Sequence, residues 1–526
     1  MVSPNARNKE SDMPVLDRPQ IGQERGTGQW WALIALTVPV LLMSIDLTVL
    51  STALPSLSED LTPSSTQLLW IIDVYGVFMA GLLVTMGSIG DRMGRRRLLM
   101  IGALAFGGAS ALAAFAWNAE VLIVARALLG LGGATLMPST LSLIRAVFTD
   151  AAQRRRAIAF WAAAFAGGAG LGPIVGGLLL EHFWWGSVFL INLPVMVLLL
   201  ATGPRLLPES KDPNPGPFDI PSALMLTAAV LALIFGIKEV GKHGWDLSSP
   251  ALLLAGGLLT ALFAVRQSRL AHPLIDIQLF RSLPFTVAVL ANIAGVFAMT
   301  GALYFFPQYV QIVLGYSPLE AGLWSLPLAA GAVLGALLVP VVARRLPVGW
   351  VIGIGLAVAA AGYLTLSMLG LDGVLPVAFA GGALVGAGVG MAETLTNDVI
   401  IGTAPPEKAG AAAGISETAY ELGGALGTAV LGSIGTSLYR GQVLADLPAQ
   451  TPSVITDAAT QTLGAAGQAA AHLPPEQARP FLSLVNEAFV HAMTQTFTIA
   501  ALIVGAAALA GFIALRRHRH TAVDHH

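Results

Sequence analysis

The sequence predicts an all-α membrane protein of about fourteen crossing helices, and three observations carry that expectation. Hydrophobic residues make up 55% of the 526 and charged residues only 11%, whereas a soluble domain carries roughly 25% charge. Apolar runs of about 18 residues or more, long enough to span a bilayer, recur along the whole chain. They lie at 30–53, 68–90, 98–117, 121–144, 157–180, 185–204, 220–237, 250–266, 284–311, 320–342, 349–369, 374–401, 414–436 and 487–514. The third observation is the distribution of Lys and Arg. With both termini on one side, 23 of the 28 fall in the loops of that side, four (Lys238, Lys242, Arg440 and Arg479) on the other, and Arg126 inside a run. Cytoplasmic loops retain Lys and Arg, so the bias argues for an even helix number and cytoplasmic termini.

Between these runs the chain is punctuated. Residues 1–28 are polar, lack an apolar signal-peptide core, and read as a disordered leader. Pro208 to Pro217 is charged and rich in proline, the best break between an N-terminal bundle and the rest of the chain. The polar interval 441–486 falls outside, and its Ala/Gln/Leu-rich stretches around Leu473-Pro474-Pro475 read as short amphipathic helices on the outer face. The closing HRHTAVDHH could bind a metal weakly but reads as a solvated tail or expression remnant, and is not taken as a metal site. Cysteine is absent, which excludes disulfides, thiolate metal sites and cysteine nucleophiles. A net charge of −2 gives no sign of a nucleic-acid partner.

Six carboxylates interrupt the apolar runs: Asp46, Asp73, Glu393, Asp398, Glu417 and Glu421. An ionisable group in hydrocarbon is costly unless it faces a cavity or is neutralised by a proton or a cation, so each marks a functional site. Glu417 and Glu421 stand at i and i+4, on one helical face. Together the six suggest proton-coupled transport of something positive.

Three motifs narrow the class. Gly87-Ser-Ile-Gly90-Asp91-Arg92-Met-Gly94-Arg95-Arg96-Arg97 forms a tight turn between the second and third runs, with Asp91 held beside an arginine cluster. Such a group caps a helix or exchanges ion-pair partners when two bundles rock. Arg126, followed by Gly130, Gly132 and Gly133, is the one basic residue in mid-run and should meet a carboxylate or a water chain, with Asp46 a possible partner. Gly168-Ala-Gly170-Leu-Gly172-Pro173-Ile-Val-Gly176-Gly177 places glycines at four-residue spacing, which lets two helices touch backbone to backbone, and Pro173 bends the helix.

These motifs, with Asp46-Leu-Thr48, Leu69-Trp70-Ile-Ile-Asp73-Val-Tyr75, Phe189-Leu-Ile-Asn192-Leu-Pro194, Tyr309-Val-Gln311 through Gly322, and Glu417-Thr-Ala-Tyr420-Glu421-Leu-Gly423-Gly424, occur in order from Trp30 to Ala514. The chain thereby resembles the major facilitator superfamily, specifically its fourteen-helix, QacA-like drug:proton antiporter branch. It departs from that pattern at Trp185-Gly186-Ser187, where an arginine is common, and at Leu326-Pro327, where an acid is missing. A glutamate pair becomes Ser416-Glu417, and Glu393 and Asp398 are additions.

The resemblance implies two six-helix bundles, 29–207 and 271–515, with two further helices inserted within 208–270 and a cavity at the midplane. It implies that Asp46 and Asp73 face Glu417 and Glu421 across that cavity, where proton and cation compete for the same carboxylates, with Arg126 among the coupling residues. Aromatic faces attract quaternary ammonium groups, so Trp70, Tyr75, Phe78, Trp161, Phe165, Tyr304, Phe305 and Tyr420 are the expected substrate contacts. Gly87, Asp91, Arg92, Gly94 and Arg95, with Gly168, Gly172, Pro173 and Gly176, are the expected gating elements. The implied activity is export of lipophilic cations such as quaternary ammonium compounds and dyes, by a monomer in the plasma membrane, with no cofactor and no metal. The alternative is a proton-coupled exporter of a native metabolite, antibiotic, lipid or siderophore. The sequence holds no GxxxxGK[ST] phosphate loop for an ATP-driven pump, and neither cysteine nor a mid-run histidine to equip an intramembrane enzyme.

Overall fold

The computed structural model describes residues 26–211, 219–243, 246, 248–271, 273–372, 375–404, 409–448 and 451–515. Most of the predicted leader, most of the Pro208–Pro217 break, Lys408 and the 516–526 tail lie outside the described residues. Those described are almost entirely helical, and thirteen helices are long and apolar enough to cross a membrane. They are α1 (Gly26–Leu61), α2 (Ser65–Met93), α3 (Arg95–Ala114), α4 (Ala119–Val147), α5 (Ala151–His182), α6 (Ser187–Leu206), α7 (Ile220–His243), α8 (Ser248–Arg269), α9 (Leu283–Val313), α10 (Pro318–Ala343), α11 (Val348–Leu366) and α12 (Leu375–Thr403), with α16 (Pro475–Leu515) the last. The remaining predicted run, 414–436, lies within α13, which comprises Ala409–Gly427, a π turn at Thr428–Gly432, and Ser433–Asp446. The chain is a multi-pass membrane protein.

Short connections are fixed by caps. Ser64 and Gln67 form a reciprocal capping box at the start of α2, and Ser317 and Glu320 form another at the start of α10. Asn118 caps α4 and Asp150 caps α5. At the α2–α3 turn, Gly94 has φ of 105°, a conformation that only glycine adopts cheaply. There the Glu209 carboxylate accepts from the Arg96 and Arg97 backbone N–H groups at 3.0 and 3.3 Å, closing the N-terminus of α3.

In the first bundle α1 packs on α5, α2 and α3 on α4, and α3 on α6; in the second, α12 packs on α10, α11 and α9, and α16 on α11. The halves meet along α2 against α13 and α5 against α10. The inserted pair α7 and α8 pack on each other, and α7 lies against α2 and the second half of α13. Leu254, Leu258 and Leu262 of α8 are exposed along one flank, as lipid contact requires when no water must be excluded.

The α5 glycines do what their spacing predicts. At Gly168 an added Cβ would stand 2.5 Å from the Leu41 carbonyl oxygen, at Gly172 it would overlap Thr48 Oγ1, and at Gly176 it would lie 2.9 Å from Val49 Cγ2. This close approach lets Ser44 Oγ donate to the Phe165 carbonyl, and Thr52 Oγ1 to that of Pro173 at 3.4 Å. The short helices read from 441–486 are present as α14 (Ser453–Gln461) and α15 (Leu463–Ala471). They lie over α1 and α2, where Gln468 donates to the Glu59 carbonyl and Ser65 N–H to Gln461.

Candidate functional site

A cavity of about 400 Å³ opens between α2, α4 and α5 of one half and α13 of the other. Asp91, Arg95 and Arg145 stand at its Arg-rich end, and Trp161 and Glu417 line it. At the opposite end the halves are joined. Gln311 Nε2 donates to the Thr52 carbonyl at 3.0 Å, Ser317 Oγ to Glu181 at 2.9 Å, and Gly322 sits against the Pro173 carbonyl. The structure is open toward the arginines and closed at the far side.

The carboxylates are distributed along this axis, which corrects the expectation that two aspartates face two glutamates across one cavity. Asp46 is wholly buried and accepts from Arg126 Nη1 at 2.6 Å. Asn192 Nδ2 donates to its other oxygen at 3.2 Å and to Ser110 at 3.1 Å. Arg126 also donates through Nε to the Ile71 carbonyl at 3.1 Å and lies 4.7 Å from the Tyr75 ring centroid. The pairing between Asp46 and Arg126 named from sequence is therefore present. It has a physical cause: each charge in hydrocarbon needs the other.

Asp73 too has a basic partner. Lys238 Nζ of α7 lies 3.0 Å from its Oδ2, both side chains being 1% exposed, and 3.8 Å from the Trp70 ring centroid. Sequence counting placed Lys238 in an outer loop, and the structure overturns this. Helix α7 continues to His243, which turns Lys238 inward between the halves.

Glu421 is buried against Gly76 of α2, and its Oε1 has no hydrogen-bond partner among the described residues. One turn toward the Arg-rich end, Glu417 reaches the cavity, and α12, which carries Glu393, packs against α13. Ser416 Oγ donates to Asn397 at 3.2 Å, binding α13 to α12. Asp398 is exposed near the end of α12.

Three predicted aromatics form a continuous stack. Trp161 on the cavity wall lies parallel to Phe165 at 6.3 Å, and Phe165 meets Tyr420 edge-on at 5.8 Å. Trp161 Nε1 donates to Thr140, which fixes the ring. Tyr75 is buried beneath Arg126, its hydroxyl without a hydrogen bond among the described residues, and Phe78 packs at Gly130. Trp70 stacks by Phe235 of α7. Phe305 does not join the stack: it is buried against Phe489 and Phe497 of α16, with Tyr304 beside it. The spacing along α9 did not reveal which face met α16.

Among the expected gating residues, Asp91 pairs with Arg95 one turn on, and Gly87 lines the cavity beside them. Arg96 reaches Glu209 at 3.8 Å and the carbonyls of Pro204 and Leu207. At Trp185, where the resemblance led one to expect an arginine nearby, the indole donates to Asp60 at 2.6 Å.

A family model described as Major Facilitator Superfamily matches residues 37–428. The chain is 47% identical over 491 residues to "Multidrug efflux pump LfrA" of Mycolicibacterium smegmatis, covering 93% of this chain and 97% of that protein. It is 36% identical to "Methyl viologen resistance protein SmvA" of Salmonella typhimurium, over 88% and 93% of the two chains. To the "Tetracenomycin C resistance and export protein" of Streptomyces glaucescens it is 33% identical, over 91% of each. Among solved structures, a bacterial homolog of the human lysosomal transporter Spinster superposes with a TM-score of 0.66 at 17% identity, covering 94% of this chain and 99% of that one. The likeness to that structure is one of fold. The chain belongs to the Major Facilitator Superfamily and is a transporter with multidrug efflux pumps among its relatives.

Proposed function

We propose that this protein exports lipophilic, cationic drugs from the cytoplasm in exchange for protons, by alternating access. The observation that carries the reading is Glu417, an acid within a membrane-spanning helix, on the wall of a cavity that also holds Trp161 and opens to the Arg-rich end. By the asymmetry of basic residues that end is cytoplasmic, as are both termini, and the membrane is the plasma membrane. The relatives' printed names, a multidrug efflux pump and a methyl viologen resistance protein among them, support a drug cargo.

A cation entering from the cytoplasm passes the paired Asp91 and then reaches Glu417, with the stack of Trp161, Phe165 and Tyr420 beside it. Carboxylate and aromatic face together recognise a quaternary ammonium group, each aromatic contact contributing about 0.5 to 2 kcal/mol. A proton on the same carboxylate removes the attraction, so proton and drug exclude each other. Glu421, buried one turn further on with Oε1 unpartnered among the described residues, is the next carrier of the pair. Asp46 and Arg126 hold the N-terminal half together around this path. The halves 29–207 and 271–515 rock about it as rigid bodies, with the Asp91–Arg95 pair and the α1–α5 glycine seam as gating elements. The protein works as a monomer.

The driving force is adequate. Each proton entering down about 100 mV supplies ~2.3 kcal/mol, and each pH unit adds ~1.4 kcal/mol. Two protons per monovalent cation make the exchange electrogenic. In proteoliposomes at a fixed pH gradient, ethidium transport is expected to speed up or slow down with the sign of an imposed membrane potential. A rate blind to the potential contradicts this stoichiometry.

A further inference from the structure

The buried ammonium of Lys238 has no place in the proton–drug exchange cycle, yet it sits in the seam that must open. Helix α7 fills the cleft between α2 and α13, where Val77, Val230, Ile234, Ala425 and Ala429 form a small apolar cluster of their own, edged by Trp70 and Ile237. At the end of that cluster remote from the arginines, Lys238 is buried. It meets the two kinds of group that recognise an organic cation. They are a carboxylate, Asp73 at 3.0 Å, and an aromatic face, Trp70 at 3.8 Å from Nζ to the ring centroid. The π turn of α13, Thr428–Gly432, packs against both α2 and α7. Such turns interrupt helices where function needs an irregular backbone.

We infer that Asp73 and Trp70 form a second, outer cation site that Lys238 occupies as a tethered competitor, which a drug cation displaces on its way out. The inference rests on the cation-export reading and deepens it. While the path is open to the arginines, the ammonium balances the charge of the outer acid and keeps the α2–α7–α13 seam shut. Once α2 and α13 part, the lysine stem is long enough to carry its charge toward the nearer end of α7, five residues on. Asp73 then offers a free carboxylate to the cargo beside Trp70. Cargo of higher charge outcompetes the single lysine charge more readily, so this residue sets the preference between monovalent and divalent cations.

A purely structural ion pair makes different predictions, and ethidium binding to the purified full chain in detergent distinguishes them. Lys238→Gln is expected to lower the ethidium Kd about tenfold, a gain that Asp73→Asn in the same chain abolishes. Lys238→Arg keeps the charge but holds the carboxylate through more donors, and is expected to raise the Kd; it carries the test where the glutamine variant does not fold. Unchanged Kd values for the folded Lys238 variants, with wild type binding normally, overturn the tethered competitor and leave a structural pair. Binding in neither wild type nor Lys238→Gln overturns the cation reading itself and the inference with it. Binding in Lys238→Gln alone supports the competitor strongly.

Discussion

Arg126→Ala is expected to destroy both fold stability and transport, the largest loss of any single side chain in the protein. Its guanidinium is the partner of Asp46 at 2.6 Å, the donor to the Ile71 carbonyl at 3.1 Å, and the cation above Tyr75 at 4.7 Å. Removing it leaves the Asp46 carboxylate buried in apolar surroundings with only Asn192, among the described residues, to donate to it. Breaking a buried pair by deleting one member typically costs about 3 to 5 kcal/mol, because the remaining charge is uncompensated. The expected result is a thermal unfolding midpoint far below that of wild type and no measurable export. The double variant Asp46→Asn, Arg126→Gln removes both charges and is expected to recover much of the midpoint, since neutral amides leave no bare charge behind. Arg126→Lys is expected to recover less than its charge suggests, because an ammonium loses the forked geometry that serves Asp46 and Ile71 together. A midpoint for Arg126→Ala equal to that of wild type would mean that the pair does not hold α1, α2 and α4 together.

Gly168→Leu is the second large effect, and α5 supplies its own control. A Cβ at 168 would lie 2.5 Å from the Leu41 carbonyl oxygen and 2.8 Å from Ser44 Cβ, so a leucine forces α1 and α5 apart along the seam that Gly172 and Gly176 continue. Overpacking a seam of this kind costs about 1 to 3 kcal/mol or more. It also removes the Ser44 hydrogen bond to the backbone carbonyl of Phe165, the residue whose ring is the middle one of the aromatic stack. Drug resistance conferred by Gly168→Leu is expected to fall at least tenfold at matched expression, an effect on the order of 1.4 kcal/mol. Next door, Gly167 faces open space, with nothing within 4 Å of an added Cβ. Gly167→Leu is expected to confer wild-type resistance. Equal behaviour of the two variants would show that close α1–α5 contact is not needed for transport.

Much of this arrangement was legible in the sequence for reasons that can be named. Crossing helices announce themselves by length and apolarity, since a bilayer demands both. The Asp46–Arg126 pair was foreseeable because a mid-run arginine has few possible partners, and a close helix contact along α5 because glycines at four-residue spacing have one strong use, although the partner α1 was not. What escaped was information carried between helices. Lys238 ends an apolar run, where a lysine ordinarily reaches for the membrane surface. Its partner Asp73 is far away in the chain, and nothing in either segment shows that α7 wedges between α2 and α13. The same blindness placed four carboxylates around one cavity. Periodicity gives the face of a helix and not the neighbour that face meets, so it missed that two of those four acids have basic partners and that one alone, Glu417, lines the opening. The neighbours of Phe305 were hidden for the same cause, its ring being turned toward Phe489 and Phe497. Glu209 was read as part of a linker, although it closes the N-terminus of α3 across the turn at Gly94.

Competition of proton and drug for Glu417 is central to the proposed exchange, and ethidium movement across proteoliposomes with an imposed inside-acid gradient tests it most directly, with wild type and Glu417→Gln side by side. Glutamine keeps the size of the side chain and abolishes its charge, so both proteins are expected to reconstitute equally. Gradient-driven ethidium transport is predicted in wild type and none in Glu417→Gln. Equal, gradient-dependent transport in the two would contradict the competition and remove Glu417 from the coupling path.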